Sequence, residues 1–144
     1  MKTFMPKIDP ASRKWHVVDL NDVILGRAAV KVADILRGKN KPIFTPHMDT
    51  GDHVIIINAK NVRITGKNKP HNLRYYRYSG YPGGLTTTTY EEMMQKKPEE
   101  VFRMAVKRML PKNRLGRKIF KKLHVYAGSD HPHAAQKPEL LKLF

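Results

Sequence analysis

Histidine and aspartate side chains are the residues of this chain that could hold a divalent metal ion. Asp130, His131 and His133 lie close together near the C-terminus. A second group comprises His47, Asp49 and Asp52. Neither group has the paired histidines one helical turn apart, or the cysteine frame, of common metal sites. We predict no metal and no cofactor, because His and Asp are common at the ends of turns and their presence needs no metal. A metal-dependent nuclease that uses Asp130, His131 and His133 is the alternative.

Nucleophilic and nucleotide-dependent catalysis have even less support. The chain has no cysteine, and its serines lack the sequence context of a nucleophile elbow. Residues 25–27 open a predicted helix directly after a strand, a position that favours anions, but neither GxGxxG nor GxxxxGK[ST] is present. The sequence therefore predicts a protein that is not an enzyme and has no small-molecule substrate.

The chemistry that the sequence favours is the binding of a polyanion. The chain has 28 Lys and Arg against 12 Asp and Glu, a formal net charge of +16, and residues 101–122 hold nine of the basic residues and no acid. A like-charged block of this length repels itself unless a polyanion neutralises it. Nucleic acid is the first choice of partner. An anionic membrane is the second, but we expect no membrane span, because the longest aliphatic run, residues 54–57, is far too short.

Aromatic and basic residues are interleaved in a second segment, residues 67–84. This segment mixes four Lys or Arg residues with four tyrosines, and no acid occurs between His53 and Tyr90. Such rings stack on unpaired bases while Lys and Arg contact phosphate. The alternative is a β-hairpin with tyrosines packed in the core; we expect both, with about half of the tyrosines structural. The segment favours an RNA binder over a nonspecific DNA-compacting protein.

Two predicted helices must position the basic block. Residues 101–110 carry their apolar side chains on one helical stripe, and Pro98 suits the first turn of that helix. Pro111 ends it, and a second short helix fits residues 114–122, with basic side chains opposite its apolar ones. The basic block is therefore predicted to be a fixed surface on a folded scaffold.

The remaining pattern predicts one α/β domain over residues 1–144. A strand at residues 15–20, a helix at Leu25–Arg37 closed by Gly38 and an apolar strand at residues 54–57 form a βαβ unit, which requires a parallel sheet. The connection of residues 38–52 is long enough to be functional. The other predicted elements are strands at 61–65 and 123–127, a hairpin of 73–78 with 86–89, and a helix at 90–97.

The two ends of the chain are predicted to be extended. Residues 1–14 form a basic arm, and residues 129–144 form a proline-interrupted tail whose apolar end docks on the body. The N-terminus has no continuous apolar segment, so we predict no signal peptide and a soluble, cytoplasmic protein.

Several motifs are similar to those of one known family, and together they span nearly the whole chain. They are TPHMDTGD at 45–52 with VIIINA at 54–59, MLPKNRLGR at 109–117, LHVYAG at 123–128 with HPHAAQ at 131–136, LGR at 25–27 and YPGG at 81–84. Through them the chain resembles the bacterial branch of the thirteenth large-subunit ribosomal protein family.

That resemblance implies a three-layer α/β/α fold around a four-stranded, mainly parallel sheet, with a β-hairpin extension and extended termini. It implies 23S ribosomal RNA and neighbouring large-subunit ribosomal proteins as partners, a part in early subunit assembly, and no enzymatic activity. A regulatory RNA binder that acts on messenger RNA away from the ribosome is the alternative.

The expected RNA contacts lie on the basic block, the flanking loops and the C-terminal histidines. They are Lys39, Lys41, Lys67, Lys69, Arg74, Tyr75, Arg77, Lys107, Arg108, Lys112, Arg114, Arg117, Lys118, Lys121, Lys122, His131 and His133. Gly116 could let the backbone approach RNA or could serve only the turn before its helix, and the sequence leaves both interpretations open.

Overall fold

The computed structural model describes residues 4–7 and 9–143, which form six strands and five α-helices. The strands are β1 (Trp15–Asp19), β2 (His53–Ile57), β3 (Arg74–Tyr78), β4 (Leu85–Thr89), β5 (Leu123–Val125) and β6 (Glu139–Leu140). The helices are α1 (Leu25–Arg37), α2 (Lys69–Asn72), α3 (Tyr90–Lys96), α4 (Pro98–Met109) and α5 (Arg114–Phe120). Among these residues, no helix has both the length and the apolar content needed to cross a membrane.

Four strands form one parallel sheet in the order β5-β2-β1-β6. The register pairs Val18 with Ile56 and Ile56 with Val125, so these side chains share one face. The predicted βαβ unit is confirmed as β1-α1-β2. Helix α1 has the predicted bounds and ends at Gly38, whose φ of 81° is the left-handed conformation of a C-terminal glycine.

Helices α1, α4 and α5 cover that face of the sheet. Val18 and Ile56 lie fully buried in one cluster with apolar residues of α1 and with Phe102 of α4, and α1 packs directly on α4. Burial of this apolar surface is the main favourable term in folding. Because α4 and α5 belong to this core, the backbone positions of the residues on their outer side are fixed.

The opposite face of the sheet is covered by stacked rings. Trp15 stacks on His53 with ring centroids 4.2 Å apart, and His133 lies 5.3 Å from Trp15 and 4.6 Å from His124. The C-terminal segment that carries His133 therefore crosses this face. With Val54, Ile55 and Ile56 fully buried, both faces of β2 are covered, as its uninterrupted apolar sequence predicts.

The ends of the chain are more ordered than predicted. The tail supplies β6, whose Leu140 pairs in register with Val17, and its last described residues pack on the core. In the arm, Pro10–Ser12 is a 3-10 turn rather than an extended segment, because Ser12 N–H bonds to the Asp9 carbonyl at 3.1 Å. Residues 1–3 and 8 of the predicted arm and residue 144 of the predicted tail lie outside the described residues.

The α/β class, the four-stranded parallel sheet and the hairpin extension are confirmed, and three element predictions need correction. The predicted strand at 61–65 is wrong: Ala59–Asn61 is a 3-10 turn, and Arg63 makes only an isolated bridge with Ile24. Helix α5 stops at Phe120, where the chain tightens into i→i+3 bonds, and β5 stops at Val125. Strands β3 and β4 pair antiparallel as the predicted hairpin.

Candidate nucleic-acid interface

Helix α4 presents its basic residues because its apolar stripe is anchored inward. Val101, Phe102 and Val106 are fully buried, whereas Lys107 and Arg108 in the last turn are exposed. Glu99 and Glu100 lie in the first turn, where the helix dipole favours negative charge. The acids and the bases of this helix are therefore at opposite ends, and the basic end leads into the turn at 110–113.

Helix α5 is held against that turn by a capping bond and a close backbone contact. Asn113 caps the helix: its Oδ1 accepts a hydrogen bond from the Gly116 N–H at 2.7 Å. Gly116 is buried, and a Cβ at this position would lie only 1.8 Å from the Pro111 carbonyl oxygen. Of the two interpretations of Gly116, the structure therefore supports packing within the protein.

Seven basic side chains of α4, the turn and α5 are exposed, and four of them line one groove; we call the seven together the α4–α5 basic surface. Its members are Lys107, Arg108, Lys112, Arg114, Arg117, Lys118 and Lys121. Among the described residues, none of the seven is in a salt bridge. Unneutralised cations fixed on a folded scaffold are an electrostatic footprint for a polyanion.

Lys122, the eighth predicted contact in this region, does not belong to the surface. Its side chain is 5% exposed, and its Nζ donates to the Leu36 carbonyl at 3.1 Å and forms a salt bridge with Asp49. Burial lowers the pKa of Lys122, and the hydrogen bond to Asp49 opposes that shift. This ammonium already has buried partners within the protein, so the structure gives no support to the predicted RNA contact of Lys122, which stays untested.

The lysines of the 38–52 connection are paired with acids. Lys41 Nζ lies 2.6 Å from Asp52 Oδ1, and Lys39 Nζ lies 3.1 Å from Asp34. Asp52 is buried; burial acts to raise its pKa, but hydrogen bonds from His16 and Lys41 prevail and lower the pKa to about 2. Lys41 therefore holds the connection to the body, and only Lys39 of the two is exposed enough to reach a partner.

The hairpin separates its tyrosines by strand alternation. Tyr75 faces the protein and is buried beside Tyr90, and burial raises the pKa of both phenols. Tyr76 and Tyr78 face solvent and are 64% and 63% exposed. The predicted contact of Tyr75 with RNA stays untested and has no support from its burial, and one of the four tyrosines in 67–84, rather than half, is core. The predicted basic contacts of this region are all exposed: Lys67, Lys69, Arg74 and Arg77.

The C-terminal histidines are engaged within the protein. His133 Nε2 lies 2.8 Å from the Tyr126 hydroxyl, and His131 Nδ1 accepts a hydrogen bond from the His133 N–H at 3.3 Å. No three side chains in the described part of the chain are grouped so that they could hold a metal ion. This geometry gives His131 and His133 a packing role within the protein.

Sequence reasoning missed the acids that neutralise particular lysines and the ring stack on the sheet. Asp49 also binds Arg13, with an N–O distance of 3.3 Å, so one carboxylate joins the arm to the end of α5. The sequence does contain a signal for the stack of Trp15, His53 and His124, because each ring stands at a strand position whose side chain lies on the sheet face opposite Val18 and Ile56. No local pattern, however, indicates which strands lie side by side.

Comparison with known proteins gives consistent matches over nearly the full length. The sequence model described as ribosomal protein L13 matches residues 13–132. The chain is 56% identical over 142 residues to large ribosomal subunit protein uL13 of Symbiobacterium thermophilum, and the match covers 99% of each chain. It is 58% identical over 142 residues to the protein of that name from Lachnospira eligens, with the same coverage. With the Listeria innocua protein the identity is 57% over 141 residues, covering 98% of this chain and 97% of the relative.

Proposed function

This chain belongs to the ribosomal protein L13 family, and from that premise we propose that it is a structural component of the large ribosomal subunit that binds 23S ribosomal RNA through the α4–α5 basic surface. The family is one of ribosomal proteins rather than enzymes, so no catalytic step is assigned. The place of work is the ribosome, in the cytoplasm. Neighbouring large-subunit proteins are its other partners, and early subunit assembly is the stage at which it acts.

The observation that supports this proposal most directly is that α4 and α5 are apolar on their buried side and basic on their exposed side. The buried side of α4 and α5 is apolar and belongs to the core, whereas seven cations lie outward without a carboxylate partner among the described residues. Lys41 and Lys122, by contrast, are neutralised inside the protein. The fold thus distinguishes the cations that support the structure from those that are available to a ligand.

The physical work of this surface is electrostatic. Each phosphate that a Lys or Arg neutralises releases condensed counterions, so log K falls with log salt by about 0.7–0.9 for each contact. Specificity comes from the shape of the RNA and from splayed bases, because the major groove of an A-form helix is too narrow for side chains to read. A rigid arrangement of cations suits that task, since it fixes where neighbouring phosphates must lie.

Fractionation of a cell lysate on a sucrose gradient, at low and at high salt, tests the proposal. We expect the protein to migrate with the large subunit and to stay there through the high-salt wash, as a built-in component does. A protein that remains at the top of the gradient would contradict the proposal. Titration against messenger leaders and ribosomal RNA fragments would then show which free RNA it holds.

A further inference from the structure

A groove of about 460 Å³ lies where the end of α4, the turn at 110–113 and α5 meet. Its floor is apolar and consists of Leu110, Pro111 and Phe120. Leu110 is almost completely buried, whereas Pro111 and Phe120 are half-buried and keep part of their surface open. Apolar surface that a folded protein leaves open in a concave site is available to a ligand.

The groove is preformed rather than a gap between loose elements. Pro111 breaks the path of α4, Asn113 caps α5, and the buried Gly116 lets α5 lie against the Pro111 carbonyl. The floor is tied to the core as well, because Phe120 packs on the main apolar cluster. A ligand would therefore meet a fixed shape and would not have to order a loop.

The rim of the groove is positively charged. Lys107 comes from α4, Lys112 from the turn, and Arg117 and Lys121 from α5, and all four are exposed. None of the described residues that line the groove is acidic. An occupant must therefore bring negative charge to the rim and a flat or apolar part to the floor.

From this combination we propose that the groove accepts one unpaired nucleotide of RNA, with the base on the floor and its phosphates at the rim. A nucleotide is the ligand that joins an aromatic face to a phosphate, and unpaired bases are what proteins usually read in RNA. An apolar side chain from a protein partner could fill the floor but would leave four cations without counter-charge, so the charge favours RNA. The inference rests on the proposed RNA-binding function.

A second groove, of about 370 Å³, adjoins the first and shares Phe120 and Lys121 with it. It is also lined by Arg103, whose guanidinium carbon lies 5.6 Å from the Phe120 ring centroid. Arg103 also forms a salt bridge with Glu100, with an N–O distance of 3.5 Å, so Lys121 is the cation that the two grooves share for a continuing RNA strand. Phe120 is the residue on which the inference depends most.

The test compares two small probes of similar charge, AMP and ribose 5-phosphate, by NMR titration of the full chain. AMP should shift the amide signals of 110–121 and bind at least about fivefold more tightly than ribose 5-phosphate, since stacking of one base on an aromatic ring is worth at least that much. Phe120→Leu should remove most of this preference and keep the dispersed spectrum of a folded protein. Equal binding of the two probes, or shifts confined to the hairpin, would overturn the inference while leaving ribosomal RNA binding intact.

A second experiment separates RNA from a protein occupant in the assembled particle. The photoreactive substitution Lys112→p-benzoylphenylalanine places a cross-linker on the rim of the groove in purified large subunits. Recovery of a cross-link to ribosomal RNA is expected. A cross-link to a ribosomal protein instead would overturn the inference, whereas absence of the wild-type protein from the large subunit would count against the proposed function itself.

Discussion

Lys122 and Asp49 form a salt bridge, with an N–O distance of 2.5 Å, between residues that are 73 positions apart in the sequence. The bridge adjoins the α4–α5 basic surface in the sequence, and the Lys122 ammonium also donates a hydrogen bond to the Leu36 carbonyl. The next residue toward the N-terminus, Lys121, is exposed and lines the groove. Two adjacent lysines of one basic run therefore have opposite roles, and this provides a matched pair for mutation.

Replacement of each lysine by alanine should separate stability from RNA binding. Lys122→Ala should lower the free energy of unfolding by about 3 kcal/mol, because it removes one partner of a buried ion pair. Lys121→Ala should leave stability within about 0.5 kcal/mol and reduce the salt slope of RNA binding by about one. Urea denaturation and titration of ribosomal RNA at several salt concentrations measure the two effects. A Lys122→Ala protein of unchanged stability with a reduced salt slope would contradict the assignment.

The tyrosines of the hairpin allow a similar comparison. Tyr76→Ala with Tyr78→Ala should weaken binding of single-stranded RNA by about tenfold without loss of stability, because both rings face solvent and can stack on bases. Tyr75→Ala should instead destabilise the fold by about 3 kcal/mol, as expected for the loss of a buried aromatic ring. Equal affinity of the double variant and the wild type would show that the exposed rings do not contact RNA.

Gly116 can be tested against a second helical glycine. Gly116→Ala should destabilise the protein by about 1–3 kcal/mol, since its Cβ would overlap the Pro111 carbonyl oxygen and force α5 away from the turn. Gly26→Ala, in α1, is the control: its Cβ would meet no atom of the described residues within 4 Å, so the change should be neutral or slightly stabilising. Thermal unfolding of both variants decides the matter, and a Gly116→Ala protein as stable as the wild type would contradict the close packing described.

The ring stack on the sheet predicts a pH dependence of stability. Burial is the largest cause that lowers the pKa of His53, and the positive charge of Lys122 is the next. Burial is also the largest cause that lowers the pKa of His124, and His133 is the next. At pH values just below the ordinary histidine pKa of 6.5, the unfolded chain therefore binds protons that the native protein does not bind. The free energy of unfolding should fall as the pH drops from about 7.5 to about 5.5.

Urea denaturation across this range measures the effect. His53→Phe keeps a ring against Trp15 but cannot titrate, so its stability should depend less on pH. Asp52 does not confuse the result, because its pKa of about 2 confines its loss of stabilisation to more acidic solutions, below its ordinary pKa of 3.8. Stability that is flat or rises toward pH 5.5 would contradict the assignment.

Local signals predicted a large part of the fold. The bounds of α1 follow from its apolar face and from Gly38, and Thr89 caps α3 in a reciprocal box with Glu92, a pattern that its sequence position allows. Strand β6 escaped prediction because it has two residues, and it exists only through its pairing with β1. The false strand at 61–65 shows the converse: β-favouring residues form no ladder without a neighbouring strand.

The functional surface was predictable only as a region. Nine basic residues and no acid within 101–122 indicate a polyanion, but they do not reveal which side chain turns inward. Lys122 is neutralised by Asp49 and Lys41 by Asp52, and the first of these pairs joins residues that no local pattern connects. Likewise, the apolar floor of the groove comes from residues whose spacing indicates core, and only the placement of the turn leaves part of that surface open.

The salt dependence of binding to 23S ribosomal RNA, compared between the wild type and Arg114→Ala with Arg117→Ala, tests the central claim most directly. Both arginines are exposed on α5, and their loss should weaken binding and reduce the slope of log K against log salt by about two, one for each phosphate contact, with an unchanged unfolding transition. Lys31→Ala with Lys96→Ala removes the same charge from exposed positions outside the surface, which form no salt bridge with a described residue, and should leave the slope nearly unchanged. If the arginine variant binds with the wild-type slope, or if the control loses as much, the α4–α5 basic surface is not the RNA-binding surface of this protein.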